Sequence, residues 1–375
     1  MVAISSLLTL TGLLATSALA DTDSTIEGCS MFKVNGTWQE SFQFYRYYDF
    51  GYSNPSNTKI GVSSWPKNRD NESEAQIFQR FTDATWTEEW SIRTADKEPA
   101  TKKLIPLNYI RENVFMGDDN GQGLLTLNTS LLSNNTQLGG EIFWRPADVD
   151  AVSLRVSARI TGDPGAVAGI FTYHNDTQES DIEILTRDGG SSVHLTNQPT
   201  LDSNDQPIAD STFNESMPWF KTVDEFSVYR LDWFPNIGVS AWYVDGAKLK
   251  TSETNVPFES STVMIDMWSN GGSWSGDMTT WGEAQIEIQW IEMAFNASTL
   301  ERQGVPKNGI TCQIDPLGDN DGTQRDDGEG LTGNGYTEPA GSEDSSDSGN
   351  AGVSNKATWS LLLASAASVA VFFSL

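Results

Sequence analysis

The sequence predicts an all-β protein built as a sandwich or jelly roll, in a single domain. Short segments rich in β-branched and aromatic residues recur between residues 29 and 312, and Gly, Asn, Asp, Pro and Ser separate them. Helical periodicity is hard to find in this region, and no repeat or second core stands out. The clearest segment is 152–160, where Val, Leu, Ala and Ile alternate with Ser and Arg as in a half-buried strand.

The predicted strands follow one another with turn residues between them. Turn residues such as Gly, Asp, Asn and Pro are concentrated at residues 118–121 and 161–165. Further turns are expected at residues 175–178, which lie between two apolar runs, and at Asp245-Gly246. The turn at 175–178 predicts that the strands on either side of it pair with each other. We expect strands at residues 42–45, 77–81, 123–127, 152–160, 168–174, 179–185, 226–233, 239–244, 262–268 and 284–294.

The two ends of the chain differ in composition from the middle. Residues 1–20 are apolar and end in Ser-Ala-Leu-Ala, which predicts a secretory signal peptide. Residues 315–350 are acidic and rich in Gly and Ser, which predicts a disordered stalk. Residues 351–375 predict a GPI-anchor signal that is removed on maturation, with Asn350 or Gly349 as the attachment residue. A transmembrane helix over 357–375 is the alternative. The folded domain then covers residues 21–314.

Export to an oxidising compartment predicts two kinds of covalent modification. Cys29 and Cys312 are the two cysteines of the chain, and we expect them to form a disulfide, with two free thiols as the alternative. Seven Asn-x-Ser/Thr sequons predict an N-glycosylated surface. They lie at Asn35, Asn71, Asn128, Asn134, Asn175, Asn214 and Asn296.

The net charge of −28 argues against nucleic acid as a partner, because the phosphate backbone is also negative. Two histidines are too few for a His-rich metal site, and the acidic residues after 315 do not follow a calcium-loop pattern. We therefore expect no metal and no cofactor. A neutral or weakly charged polymer is the partner that the composition favours, and we expect the protein to be a monomer on the outer surface of the cell.

Residues 179–183 read Glu-Ser-Asp-Ile-Glu and carry the functional interpretation. In a strand, Glu179, Asp181 and Glu183 share one face, while the residues between them take the other. The outer two Cα atoms are about 13 Å apart, and inward-leaning side chains bring the carboxyl groups to roughly 5–6 Å. Retaining glycosidases need about 5–5.5 Å and inverting ones about 6.5–9.5 Å, so this spacing favours retention. The pattern alone leaves an acidic, solvated strand face as the alternative.

This stretch resembles the Glu-x-Asp-x-Glu signature of glycoside hydrolase family 16, the concanavalin A-like β-jelly-roll glucanases. Segments at 139–142, 153–159, 226–233, 241–246 and 264–272 are similar to neighbouring strands of that family, in the same order. The resemblance implies a concanavalin A-like jelly roll and, with the anchor signal, a fungal-type cell surface. Ser180 departs from the family, which usually has an aliphatic residue there. Because this position faces the core, the hydroxyl needs a hydrogen-bond partner.

The resemblance implies a role for each acid. Glu179 would be the nucleophile and Glu183 the general acid/base, while Asp181 would hold the nucleophile and tune the protonation of both. The implied function is a retaining endo-glycosidase acting on cell-wall β-glucan with β-1,3 or mixed β-1,3/1,4 linkages. If a sugar hydroxyl replaced water, the same residues would make a transglycosylase. A lectin-like binder without turnover is a further alternative, but it would have no need of both glutamates.

Side chains near the acids are candidates for binding sugar. Aromatic rings stack on the apolar faces of sugars, whereas His and Asn side chains hydrogen-bond to hydroxyl groups. Core packing is the alternative for each aromatic residue, and an ordinary structural role is the alternative for each His. The predicted binding residues are Tyr173, His174, His194, Asn197, Trp268, Asn270 and Trp274, with Trp144 and Gln198 as further candidates.

Overall fold

The computed structural model describes residues 29–34, 40–50, 89–119, 122–302 and 310–314. The predicted signal peptide, the acidic stalk, the anchor signal and the strand at 77–81 lie outside the described residues. The sequons at Asn35 and Asn71 lie outside them too.

Strands provide nearly all the regular structure of the described residues, as the alternating sequence predicts. Four short 3-10 helices lie between them, at Arg111–Asn113, Thr186–Asp188, Pro218–Phe220 and Pro235–Ile237. The strands are β1 Cys29–Val34, β2 Ser41–Phe42, β3 Phe44–Asp49, β4 Trp90–Ile92, β5 Ala95–Lys97, β6 Leu107–Tyr109, β7 Val114–Asp119, β8 Gln122–Leu131, β9 Gln137–Trp144, β10 Ala151–Gly162, β11 Val167–Asn175, β12 Gln178–Leu185, β13 Ser192–Asn197, β14 Thr212–Ser216, β15 Ser227–Phe234, β16 Val239–Val244, β17 Ala247–Ser252, β18 Thr262–Trp268, β19 Glu283–Asn296 and β20 Ile310–Ile314.

The strands form two antiparallel sheets packed face to face, the jelly-roll sandwich that the sequence predicts. The front sheet has the order β14-β13-β12-β11-β18-β9-β4. The back sheet has the order β17-β16-β15-β10-β19, and β19 pairs further with β8 along one half and with β3 along the other. β11 and β12 form the predicted hairpin, which places the acidic stretch at the centre of the front sheet.

The core lies between the two sheets and follows from the alternation of their strands. Along β10 the apolar residues of the predicted pattern all face inward, and Ile182 and Ile184 of β12 meet them from the front sheet. Tyr229, Leu231 and Trp233 of β15 face the same core from the back sheet. Because one face of β12 is anchored in this way, its acidic residues are directed to the outer face of the front sheet.

A third, small sheet joins the two ends of the described chain. β1 pairs with β2 and, in parallel, with β20, and the Cys29–Cys312 disulfide links β1 to β20 as predicted. These strands form an apolar cluster with Phe234 and Ala294 of the back sheet, so the disulfide lies on the side of the sandwich opposite the acidic face. Among the described residues there is no helix long and apolar enough to cross a membrane.

The described sequons differ in accessibility. Asn134, Asn175 and Asn214 are exposed, and Asn296 is half-buried and accepts a hydrogen bond from the Gln43 amide. Asn128 is buried within β8, 1% exposed, where a glycan has no room. The prediction of a glycan at Asn128 is therefore at odds with the structure, because a sequon cannot distinguish an exposed strand face from a buried one.

Candidate active site

Strand β12 presents the three acids together on the outer face of the front sheet. Glu179 and Asp181 are buried and Glu183 is half-buried, although all three lie on the face away from the core. The neighbouring strands continue this face: Tyr173 of β11 lies opposite Glu179, and His194 of β13 lies opposite Glu183. The acids therefore form the floor of a site whose sides come from adjacent strands and loops.

Burial makes the three carboxyl groups hold protons more tightly than they would in water. Desolvation, and then the charge of Glu183, raise the pKa of Glu179. Desolvation also raises the pKa of Glu183, to about 7. Asp181 has its pKa raised by burial and by the charges of the two glutamates, and its side chain hydrogen-bonds to Glu179. Protonated Asp181 can therefore donate a hydrogen bond to Glu179, and this hydrogen bond lowers the pKa of Glu179 and favours its ionised form.

Trp274 supplies a direct hydrogen bond to one of the acids. Its indole Nε1 donates to Glu183 Oε1 at 3.1 Å. The His194 ring packs edge-on against the indole, with ring centroids 4.7 Å apart, and His194 Nε2 lies 2.7 Å from Asp188 Oδ2. Trp274 and His194 thus hold Glu183 in position. Both residues orient this acid, in addition to any contact that they make with sugar.

The other end of the acidic row lies beside the β11–β12 hairpin. The Tyr173 hydroxyl donates to Asp176 Oδ1 at 3.0 Å, so its ring is held beside Glu179. His174 is exposed, and its Nδ1 lies 2.9 Å from the Ser260 carbonyl oxygen. Tyr173 therefore borders the site, whereas His174 lies at an irregular position of the β11–β12 pairing and contacts Ser260.

Part of the chain is similar to a known protein family. Residues 151–292 match the model of the family described as Glycosyl hydrolases family 16. The matched segment runs from β10 to the second half of β19 and includes β12 with its three acids.

Individual proteins are also similar to part of the chain. A β-glucanase of Paenibacillus polymyxa is 29% identical over 148 residues, which make up 38% of this chain and 58% of that protein. A β-glucanase of Bacillus amyloliquefaciens is 27% identical over 134 residues, 34% of this chain and 52% of that protein. Among solved structures, the β-glucanase of Bacillus licheniformis has a TM-score of 0.45 at 21% identity, covering 56% of this chain and 92% of that one. The chain thus spans little more than half the length of the two curated relatives.

The structure corrects the prediction for Asn197. This side chain is buried on the core face of the front sheet, where its Oδ1 accepts a hydrogen bond from Ser180 Oγ at 2.8 Å. Its Nδ2 donates to the Thr254 carbonyl oxygen. Asn197 cannot reach a sugar on the outer face, because β13 directs His194 and Thr196 there instead. It is the partner that the Ser180 hydroxyl needs, and Ser180 also lies 3.3 Å from Ser240 Oγ.

The remaining tryptophan and asparagine candidates lie in three different places: the core, the outer face of the front sheet, and the loop that follows β18. Trp144 is buried in the main core and packs edge-on against Phe295, so it does not bind sugar. Trp268 is buried on the outer face in a small cluster against which Trp274 packs. Asn270 accepts hydrogen bonds from the Gly272 amide and the Ser275 hydroxyl, so it shapes the loop that carries Trp274.

Sequence reasoning missed two further carboxylates that extend the site across the sheet. Glu183 lies opposite Gly169, Gly169 opposite Asp266, and Asp266 opposite Glu141. Gly169 makes room for this row, since a Cβ atom there would lie 2.5 Å from Asp266 Oδ1. The signal was the alternation within Met264-Ile-Asp-Met, where the carboxylate takes the face opposite Ile265.

Cations and a tyrosine accompany these carboxylates. Arg93 forms an ion pair with Glu141, and the Tyr109 hydroxyl donates to Asp266 Oδ2 at 3.1 Å. Lys97 lies over the Tyr109 ring, and burial lowers its pKa to about 8 while Glu141 and Asp266 oppose this shift. Within the described residues, no group of three His, Cys, Asp or Glu side chains could hold a metal ion. The arrangement offers proton transfer and nucleophilic attack by carboxyl groups.

Proposed function

We propose that this protein is a retaining endo-glycosidase that hydrolyses β-glucan through a covalent glycosyl-enzyme intermediate. The observation that carries the proposal is the row Glu179, Asp181 and Glu183 on one outer face of the front sheet, with Trp274 hydrogen-bonded to Glu183. The β-glucanases among its relatives support the choice of a β-glucan as substrate. A fold used only for binding would not need three adjacent carboxyl groups that are buried or half-buried, because they cost stability unless they have a function.

The first chemical step transfers the sugar to the protein. Glu179 attacks the anomeric carbon with a carboxylate oxygen, while Glu183 donates its proton to the glycosidic oxygen, so that the C–O bond to the leaving sugar breaks. Asp181 donates a hydrogen bond to Glu179 and limits the repulsion between the two glutamates. Burial raises the pKa of Glu183 to about 7, so this acid is protonated below neutral pH, and burial raises the pKa of Glu179 to about 8. The division of roles therefore rests on the hydrogen bond from Asp181, which favours ionised Glu179, and not on the order of these two pKa values.

The second step releases the sugar. Glu183, now a carboxylate, takes a proton from water, and the water oxygen attacks the anomeric carbon as the bond to Glu179 breaks. Two inversions at the same carbon return the original configuration. If the hydroxyl of a second sugar enters instead of water, the same step lengthens a glucan chain, which is the transglycosylase alternative.

The placement of the acids also sets the direction of the polymer. Glu179 and Glu183 flank Asp181 along one strand, so the reacting sugar lies over Asp181 with one glutamate on each side. The glucan chain therefore crosses β12 instead of running along it. On one side it passes over Phe171 of β11, and on the other over Thr196 of β13, because these residues lie opposite Asp181.

Substitution of the two glutamates tests the proposal. Glu179→Gln and Glu183→Gln should each lower kcat on β-glucan by at least about 10²-fold, the usual contribution of a positioned acid or base. Both variants should still bind the polymer, since the aromatic side chains remain. Glu301→Gln, at an exposed position outside the site, is the matched control and should keep full activity. Undiminished turnover by either site variant would refute the assignment.

Product analysis separates the mechanisms. NMR of the first products should show the same anomeric configuration as the substrate, whereas inversion would exclude a covalent intermediate on Glu179. A 2-deoxy-2-fluoro glucoside with a good leaving group should leave a sugar on the peptide that contains Glu179. Labelled oligosaccharide acceptors report on transfer: longer labelled products favour the transglycosylase. Binding without any turnover would favour the lectin-like alternative.

We also propose that the protein is exported, carries a GPI anchor and acts as a monomer at the cell surface and in the cell wall. The composition of residues 1–20, 315–350 and 351–375 supports this proposal. A phosphatidylinositol-specific lipase should release the protein from membranes, while the same treatment of a chain ending at residue 350 should change nothing. Retention in the membrane after lipase treatment would favour a transmembrane helix. Light scattering of the released protein gives its molar mass and so tests whether it is a monomer.

A further inference from the structure

Strand β14 exposes a sequon at the edge of the front sheet. Residues 214–216 read Asn-Glu-Ser, and the burial of the strand alternates so that Thr212, Asn214 and Ser216 are exposed. Phe213, between them, packs towards the core against Trp242. The Asn214 side chain therefore leaves β14 on the same outer face that carries the acids, and not towards the back of the domain.

Strand register places Asn214 in the cross-strand row of the predicted acid/base. Glu183 of β12 lies opposite His194 of β13, and His194 lies opposite Asn214 of β14. Two strand spacings separate Glu183 from Asn214, which is about 10 Å across the sheet. The position is therefore beside the site, while Asn134, in the turn between β8 and β9, lies outside this cross-strand row.

The neighbouring row is the path along which a glucan leaves the site. The chain crosses β12 over Asp181, and the residues opposite it are Thr196 and then Thr212. The two threonine hydroxyls lie 3.0 Å apart on this outer face. A polymer that continues past β13 must pass over Thr212, next to Asn214. An N-glycan is a bulky, solvated group, so it would share this exit with the polymer.

We propose that Asn214 is N-glycosylated and that its glycan narrows the β14 end of the cleft, so that it weakens the binding of long glucans but not of short substrates. The inference rests on the proposed function and on export of the chain. It makes Asn214 a position where covalent modification sets the length of substrate that the site accepts.

Variants that lack the glycan test this proposal. The protein is secreted from a eukaryotic host as the wild type, Asn214→Gln, Ser216→Ala and the control Asn134→Gln, and peptide mass spectrometry gives the occupancy of each sequon. Ser216→Ala removes the sequon but keeps the Asn214 side chain. Asn134→Gln removes a glycan from the β8–β9 turn. The kcat/KM is then measured on polymeric β-glucan and on an aryl glucan disaccharide, which is short enough that neither its sugars nor its leaving group extend from Asp181 to β14.

The expected result is occupancy at Asn214, with a several-fold gain in kcat/KM on the polymer for Asn214→Gln and Ser216→Ala. The aryl disaccharide should be cleaved at the wild-type rate by both, and Asn134→Gln should leave both substrates unchanged. An empty Asn214, or equal effects on both substrates, would overturn the inference. Absence of turnover in every protein, with Asn214 occupied, would count instead against the proposed function.

Discussion

At the scale of single residues, the site is defined by what surrounds each carboxyl group. Glu183 has an indole donor and a half-buried position, Glu179 has a hydrogen bond from Asp181, and Asp266 has a tyrosine hydroxyl. Each contact favours one protonation state of its acid. Carboxyl groups that are chemically alike can therefore take different protonation states and different roles, because their environments differ.

Trp274→Phe should move the pH dependence of the reaction. The indole N–H stabilises ionised Glu183, so its loss raises the pKa of this acid further above its ordinary value. The alkaline limb of kcat/KM, expected near pH 7, should therefore shift to higher pH, while the retained ring keeps its contact with His194. Profiles for Trp281→Phe, which changes an exposed tryptophan, should match the wild type. A fall in rate without a shift of the limb would reduce Trp274 to a packing role.

Asp266→Asn should stabilise the protein at alkaline pH. Burial, and then the charge of Glu141, raise the pKa of Asp266 well above its ordinary value, and its buried Oδ1 has no hydrogen-bond partner. The folded state therefore binds a proton that the unfolded state releases above about pH 4, and stability falls as the pH rises from there towards the folded pKa. The variant should melt about 2–4 °C or more above the wild type at pH 8.

Well below pH 4 both Asp266 and the substituted Asn are neutral in the folded and unfolded states, so the difference in Tm should disappear. Asp205→Asn, at an exposed position, serves as the control and should have no such dependence. A constant difference in Tm at every pH would mean that packing, and not protonation, separates Asp266→Asn from the wild type.

At the scale of strands, the close approach of β11 and β18 keeps the floor of the site open. Gly169 has no side chain where Asp266 Oδ1 crosses between the strands. Gly169→Ala should cost about 1–3 kcal/mol in the free energy of unfolding, the usual cost of overpacking. It should also lower kcat/KM, because the displaced Asp266 changes the row that contains Glu183.

A double-mutant cycle tests whether the destabilisation by Gly169→Ala comes from a clash with Asp266. Asp266→Ala removes the atom that the new methyl group would meet, so the Gly169→Ala change should be much less destabilising in that background. Denaturant unfolding of the four proteins gives the coupling free energy. Equal costs in both backgrounds would place the clash elsewhere, such as on the Phe171 ring.

At the scale of the whole molecule, the disulfide ties β1 to β20 on the back of the sandwich. Replacing both Cys29 and Cys312 by Ser should lower the free energy of unfolding by roughly 4–5 kcal/mol, as the loss of a very long closed loop predicts. Activity at 25 °C should persist, because the pair lies on the face opposite the acids. Reductant should lower the Tm of the wild type and leave the double variant unchanged. Loss of activity in the still-folded variant would contradict this separation.

The sequence predicted the architecture well because the pattern that reveals a strand, the alternation of apolar and polar residues, lies within a single segment of the chain. Alternation within residues 152–160 and 179–185 determines which side chains are buried, and the structure has strands there as predicted. Partners across the sheet are not local. The prediction that Asn197 binds sugar was wrong: the alternation of β13 places Asn197 on the face opposite His194, and its hydrogen bond to Ser180 joins two strands. Asp266 was missed because β18 reaches Glu183 only through β11.

The position of the acids on a single strand has a consequence for how the chain finds its fold. Shifting β12 by one residue against β11 would turn Glu179, Asp181 and Glu183 into the space between the sheets and expose Ile182 and Ile184. Three carboxyl groups would then be desolvated among apolar side chains, which is far more costly than an ordinary slip. The residues proposed for catalysis therefore also specify the register of the β11–β12 hairpin, because burying their carboxyl groups makes the hairpin shifted by one residue unstable.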